Sequence, residues 1–178
     1  MTKLIMLIGV PGSGKSSLAS VLLAQYPRSQ LISTDAIRAQ LFGSEEIQGS
    51  WLLVWHQIER QFRQAVEQSA VAIYDATNAI GSHRIEVITL ARTTGFTSIT
   101  GIWLDTPIQL CLERNRRRDR TVPEEVIWQM HSCLVNTPPT LQEGLDRLIR
   151  YSGARIYGNC DRVYEKEPNL IPLMALLP

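Results

Sequence analysis

Gly9-Val10-Pro11-Gly12-Ser13-Gly14-Lys15-Ser16 is the stretch that decides the fold. It fits the pattern G-x-x-x-x-G-K-[ST] in full. The glycines let the backbone curl so that successive N–H groups point inward at one anion. A helix starting at the end of the loop aims its own N-terminal N–H groups and dipole at the same place. Lys15 adds a compact positive charge at the outer phosphates, and Ser16 offers a hydroxyl to Mg²⁺. The flanks agree with this reading. Lys3 to Ile8 is an apolar run that predicts a buried strand. Lys15 to Gln25 carries an apolar stripe at Leu18, Val21 and Leu22 that predicts a helix. Strand, glycine loop and helix together predict a nucleoside-triphosphate site.

Working outward, strands alternate with helices. Gln30 to Ser33 is a second strand, and Thr34 or Asp35 can cap a helix over Ala36–Phe42. After a polar loop over Gly43–Ser50, Trp51 to Ser69 is a long amphipathic helix. Ala70 to Tyr74 is a third strand that ends in Asp75. Ser82 to Thr94 is a helix closed by Gly95, and Thr97 to Leu104 is a fourth strand. Pro107 begins a helix that turns very basic toward Arg117. Pro123 opens the next, with Glu124 and Glu125 suiting its dipole, and it runs to about Val135. Leu148 to Tyr151 is a fifth strand. This alternation predicts an α/β three-layer fold with a mostly parallel five-stranded sheet. Residues 1–151 are expected to form one domain with a lid around 113–136. Residues 152–178, with two short strand-like pieces, are expected to be a tail packed on the same domain.

Composition narrows the class. The 178 residues are 44% apolar and 20% charged, which suits a folded globular chain. No run of apolar residues is long enough to cross a membrane. The seven-residue apolar stretch at the N-terminus runs into the glycine loop and lacks a small-residue cleavage site, so a buried strand is expected there rather than a signal peptide. Cys111, Cys133 and Cys160 are odd in number and form no C-x-x-C pair, so a reducing, cytoplasmic setting is expected. Formal net charge is +1, but the charge is unevenly placed. Residues 114–120 hold Arg114, Arg116, Arg117, Arg118 and Arg120 against Asp119, a local charge of +4 that leaves −3 for the remainder. No N-K-x-D guanine-reading motif occurs.

The residues that carry chemistry follow from strand ends and charge. Ligands of a parallel sheet gather at the carboxyl ends of its strands, where Asp35 and Asp75 fall. If the third strand lies beside the first, as in many P-loop kinases, Asp75 sits near Ser16 and can hold the Mg²⁺ water shell. Asp35 lies further out, where it can accept the proton of an arriving hydroxyl. The structural alternatives are an N-cap for Asp35, paired with Arg38, and a turn residue for Asp75. The arginine segment lies between two helices, as a lid that closes over transferring phosphate would, because guanidinium forks pair with phosphate oxygens. A solvated helix end is the competing reading. Trp51 and Trp55, one helical turn apart, read as core or a helix interface, with base stacking the alternative. His56, His83 and His131 do not cluster, and Cys111 reads as a buried helix residue.

GVPGSGKSS, STDAIR, VAIYDATN, LERNRRRDRTVPEEVI and LQEGLDRLI occur in that order between about residues 3 and 151. In this combination the chain resembles the 5′-polynucleotide kinase domains of phage and bacterial nucleic-acid repair proteins, and the wider group of small P-loop kinases. The resemblance implies the sheet order 2-3-1-4-5. It implies that Gly12, Ser13, Gly14, Lys15, Ser16, Ser17 and Arg114 bind ATP, with Ser16 and Asp75 at Mg²⁺. The implied catalytic set is Asp35 as general base toward a 5′-hydroxyl, Lys15, Arg38 positioning the acceptor and its phosphate, and Arg118 clamping the transferred phosphate. The implied reaction moves the γ-phosphate of ATP to a hydroxyl, with the 5′ end of DNA or RNA as acceptor. A sugar, nucleoside or antibiotic is the alternative acceptor, and an ATP-binding regulatory protein with little turnover the alternative class. The chain departs from the pattern between Arg38 and Arg60, where no Lys or Arg occurs. Phosphate contacts dominate nucleic-acid affinity, so this departure bears on the acceptor.

Overall fold

The computed structural model describes residues 1–69, 71–152, 155–157 and 163–165. In chain order the elements are β1 (Lys3–Ile8), α1 (Lys15–Gln25), β2 (Ser29–Ser33), α2 (Thr34–Phe42), α3 (Trp51–Gln68), β3 (Val71–Asp75) and α4 (Gly81–Thr94). They continue with β4 (Ser98–Leu104), α5 (Ile108–Arg116), α6 (Glu124–Asn136), a 3₁₀ turn (Leu141–Glu143), β5 (Arg147–Ser152), β6 (Arg155–Tyr157) and β7 (Val163–Glu165).

The strands form one sheet in the order β2-β3-β1-β4-β5-β6-β7. The first five are parallel, as expected. The sheet extends past the expected five strands, because β6 pairs antiparallel with β5, and β7 with β6. Cys160 and the remainder of the 152–178 segment lie outside the described residues.

Both faces of the sheet are covered, which is why β1 is apolar from Leu4 to Ile8 rather than alternating. Successive strand side chains point to opposite faces. Leu4, Met6 and Ile8 enter the larger core with residues of α3, α4, α5 and α6. Ile5 and Leu7 enter a smaller core against Leu18, Ala19 and Leu22 of α1. At the centre of the larger core, Phe62 of α3 packs edge-on against Tyr74 at 5.6 Å and Phe96 at 5.4 Å. Each such buried ring contributes about 1.5–3 kcal/mol from area alone.

Register sets the functional end. Leu7 of β1 and Ser33 of β2 both pair with Asp75 of β3. The glycine loop, the start of α2 and the segment after β3 therefore emerge side by side. The N-cap of α2 is Ser33, whose hydroxyl accepts from Ala36 N at 3.4 Å. This corrects the expected cap at Thr34 or Asp35. With the cap supplied by Ser33, the Asp35 carboxylate in the first turn is available to the cleft.

Candidate functional site

The loop between β1 and α1 has a shape that side chains would forbid. Gly12 and Gly14 adopt φ of +80° and +103°. A Cβ on Gly12 would lie 2.3 Å from the Cys111 carbonyl oxygen, which is backbone and cannot swing aside. The loop is braced from outside. Thr106 Oγ1 donates to Ser13 O at 2.9 Å, and Gly9 N donates to Thr77 O at 3.0 Å. Asn78, the last residue of D-A-T-N, sits at φ +49°, a left-handed region that Asn tolerates. Its side-chain amide donates to Leu7 O at 2.6 Å, locking the end of β1 to the segment after β3.

Lys15 is buried, with Nζ donating to Val10 O at 2.9 Å. Burial pushes it down to about 8, a fall that Asp75 and Asp35 partly offset. Ser16 Oγ donates to Asp75 Oδ2 at 3.1 Å. Burial pushes the Asp75 carboxyl up, against the opposing pull of Lys15 and the Ser16 hydrogen bond. The donor set fits an ATP–Mg²⁺ pair. Ser13 Oγ is buried without a hydrogen-bond partner inside the loop. Ser16 and Asp75 offer two hard oxygens, leaving other positions to phosphate and water, as Mg²⁺ prefers.

Asp35 and Asp75 line one cleft of about 1300 Å³, together with the glycine loop. Asp35 accepts from Arg38 Nη1 at 3.2 Å. It also accepts from Arg120 Nη1 at 3.2 Å, and Arg120 reaches the Glu45 carboxylate and carbonyl, each at 3.2 Å. Nothing in the sequence singles out Arg120 among the five arginines of residues 114–120. Its position two residues after Arg118 gives no periodic signal, because the chain between α5 and α6 is a loop.

That loop is closed by one buried side chain. Asn115 Nδ2 donates to Val122 O at 2.8 Å, and its Oδ1 accepts from Val122 N at 3.0 Å. The closure sorts the arginines. Arg114, Arg118 and Arg120 line the cleft, with Arg114 Nη1 at 3.4 Å from Gly12 O. Arg118 is close enough to act electrostatically on both Lys15 and Asp75. Arg116 and Arg117 turn outward and pair with Glu124 and Glu113 at 2.6 Å. Ser17 also lines the cleft.

Arg84 of α4 is the largest fully buried side chain among the described residues. It pairs with Glu143 at 2.6 Å and donates to the carbonyls of Asn78, Ala79 and Thr137 at 3.2, 3.1 and 2.8 Å. One guanidinium thus ties the D-A-T-N segment to the end of α6. Sequence reasoning missed it, since an arginine within an amphipathic helix ordinarily faces water. Trp51 differs from the expectation of core or interface. It is 44% exposed and lines the cleft, while Trp55 behind it packs against the core. Cys111 is buried, as expected. No group of three metal-ligating side chains occurs among the described residues, and no described helix is long and apolar enough to cross a membrane.

Comparison with known proteins agrees with this geometry. A model of a family described as AAA domain matches residues 4–136. The L-seryl-tRNA(Sec) kinase of Methanococcus maripaludis is 29% identical over 146 residues, which are 77% of this chain and 54% of that protein. A chain of the Pnkp1/Rnl/Hen1 RNA repair complex superposes with a TM-score of 0.66 at 19% identity, covering 82% of this chain and 46% of that one. A fungal RNA kinase superposes at 0.62 and 18% identity, covering 84% of this chain and 73% of that one. This chain therefore has the fold of small P-loop kinases, and it spans about half the length of the first two proteins named.

Proposed function

The chain belongs to the AAA domain family, and on that premise we propose that it is an ATP- and Mg²⁺-dependent kinase whose acceptor is a nucleic-acid 5′-hydroxyl. The observation that carries the reading is the convergence, in one cleft, of the glycine loop, two strand-end aspartates and three lid arginines. Bound ATP–Mg²⁺ supplies the transferable phosphoryl group and neutralises its charge. The chain's own residues do the remainder. Gly12, Ser13, Gly14 and Ser17 cradle phosphate with the loop and helix N-terminus, and Lys15 places its charge there. Ser16 and Asp75 hold the metal side. Asp35 orients the acceptor hydroxyl and takes its proton, while Arg38 positions the acceptor. From the lid, residues 113–136 of a domain spanning 1–151, Arg118 stabilises charge on the transferring group and Arg114 binds ATP.

Support for an acceptor carried on RNA comes from two similar proteins, an L-seryl-tRNA(Sec) kinase and a chain of an RNA repair complex. A second reading, a small-molecule hydroxyl, is favoured by one observation: the acceptor wall from Ala39 to Glu59 carries no cation. The test incubates the protein with labelled ATP and, in parallel, 5′-hydroxyl DNA, 5′-hydroxyl RNA, nucleosides and sugars. Labelled oligonucleotide is expected. Label on sugars alone would establish the second reading. Absence of transfer to any hydroxyl, with ATP bound, would defeat the kinase assignment.

A further inference from the structure

The acceptor side of the cleft has an unusual make-up for a site that meets nucleic acid. Trp51 is the first residue of α3, 44% exposed, and lines the cleft. Trp55, one turn later, lies with its ring centroid 6.1 Å away and tilted by 45°, packed against the larger core. Trp51 is thus buttressed from behind and open in front. Asp35 and Arg38 line the same cleft. Arg38 uses Nη1 on Asp35, and its buried Nε has no hydrogen-bond partner. Tyr74 also lines the cleft from β3. Val122, Val126 and Met130 line the cleft from the lid and α6, and they are apolar. Ile47, Leu52 and Leu53 beside Trp51 are exposed as well.

A groove that tracks a nucleic-acid backbone neutralises several phosphates with Lys or Arg. Here residues 39–59 supply none, and they add Glu45, Glu46 and Glu59. Arg38 is held by Asp35 alone and keeps an unpartnered Nε, whereas Arg120 is divided between Asp35 and Glu45. An exposed indole that shares the cleft with Arg38 and the Asp35 carboxylate matches one nucleoside. The base has a π-face to stack, the sugar bears the hydroxyl, and at most one phosphate needs a partner.

We propose that Trp51 is the stacking platform of a single-nucleoside subsite, so that the acceptor is gripped by its terminal base rather than along its phosphate backbone. The inference rests on the kinase reading above and narrows it. It places a free nucleotide and the end of a longer strand on the same footing, because both present the same terminal unit. It also sets the ionic-strength behaviour, since stacking is insensitive to salt and phosphate tracking is not.

The test measures the acceptor KM for uridine 3′-monophosphate, a dinucleotide and a longer oligonucleotide, all with 5′-hydroxyls, at low and high salt. KM is expected to stay within about threefold across length and salt, because the gripped unit is the same. Trp51→Ala should raise every KM by roughly 5- to 150-fold, the range of one lost base stack, with ATP affinity unchanged. Trp51→Phe should restore most of the loss, which separates stacking from a folding defect. A KM that falls steeply with acceptor length and climbs with salt would overturn the proposal, as would an unchanged KM in Trp51→Ala. Ligand-detected NMR with uridine 3′-monophosphate and a non-hydrolysable ATP analogue reads binding without turnover. Uracil-ring saturation in the wild type that is lost in Trp51→Ala supports the subsite even if no phosphate is transferred, in which case the kinase reading alone fails. Equal saturation in both proteins, or none in either, overturns the subsite.

Discussion

The glycine loop and the arginine segment proposed as a lid line one cleft and are built on opposite principles. The loop is backbone. Its shape is enforced by Gly12 against the Cys111 carbonyl and pinned by Thr106, Thr77 and Asn78. The lid is side chain. Its loop is closed at the base by Asn115 and Val122, and its arginines divide between cleft and solvent. A pre-formed cradle of N–H groups holds a phosphate with no reorganisation, so it serves ground-state binding as well as the transition state. A long guanidinium on a loop can approach as charge develops, and so can favour the transition state selectively. Substitutions in the loop should therefore weaken nucleotide binding, and those in the lid should slow transfer with binding retained.

The largest effect expected is on the lid. Arg118→Ala should slow transfer by about 10³–10⁵, the range of arginines that stabilise the transferring phosphoryl group. Arg117→Ala, whose partner Glu113 is exposed, should change the rate little, by about twofold or less. Equal effects in a single-turnover assay would break the division of the lid into a cleft face and a solvent face. Asp35→Asn should slow transfer by about 10²–10⁴ with ATP affinity kept. If calorimetry shows ATP affinity falling in parallel, Asp35 belongs to the loop side of the comparison.

Arg84→Met should destabilise the fold by about 3–5 kcal/mol, because Glu143 loses its buried partner and three carbonyls lose a donor. Thermal unfolding measures this directly. A small shift would mean that the bridge between the D-A-T-N segment and the end of α6 is redundant.

The smallest effect is on pH. Lys15 sits near 8, lowered by burial, so it is charged below that pH and loses its proton as pH rises through it. Triphosphate favours the charged form. Nucleotide affinity should then fall by up to about tenfold between pH 7 and 9, following the protonated fraction. Asp75 is raised by burial, so on acidification it takes up its proton at a higher pH than an ordinary aspartate, and Mg²⁺-dependent affinity should be lost as it does. Titration calorimetry across pH checks both limbs. Lys15→Arg should abolish the alkaline limb, since guanidinium keeps its charge.

Much of this was legible in the chain. The glycine loop, its strand and its helix announce themselves because a phosphate cradle needs small residues at fixed spacing. The alternation of apolar runs and helical stripes carried the parallel sheet. The carboxyl ends of two strands carried Asp35 and Asp75. Less legible was anything set by a side chain meeting a distant partner. Arg84 reads as a surface arginine until Glu143, fifty-nine positions away, closes over it. Arg120 reads as one of five charges until the loop fold turns it onto Asp35. Trp51 and Trp55 read as a matched pair, yet one is open to the cleft and the other packs against the core.

By itself, then, the sequence determined the anion cradle, the layer order and the presence of a concentrated basic segment. Those follow from local rules: backbone freedom at glycine, side-chain period and charge density. Only the tertiary structure decided which arginines face the cleft, which aspartate they meet and which tryptophan stays open to a ligand. Those choices depend on where loops between packed elements come to rest. That position is set by buried hydrogen bonds such as those of Asn115 and Arg84, whose partners no local pattern reveals.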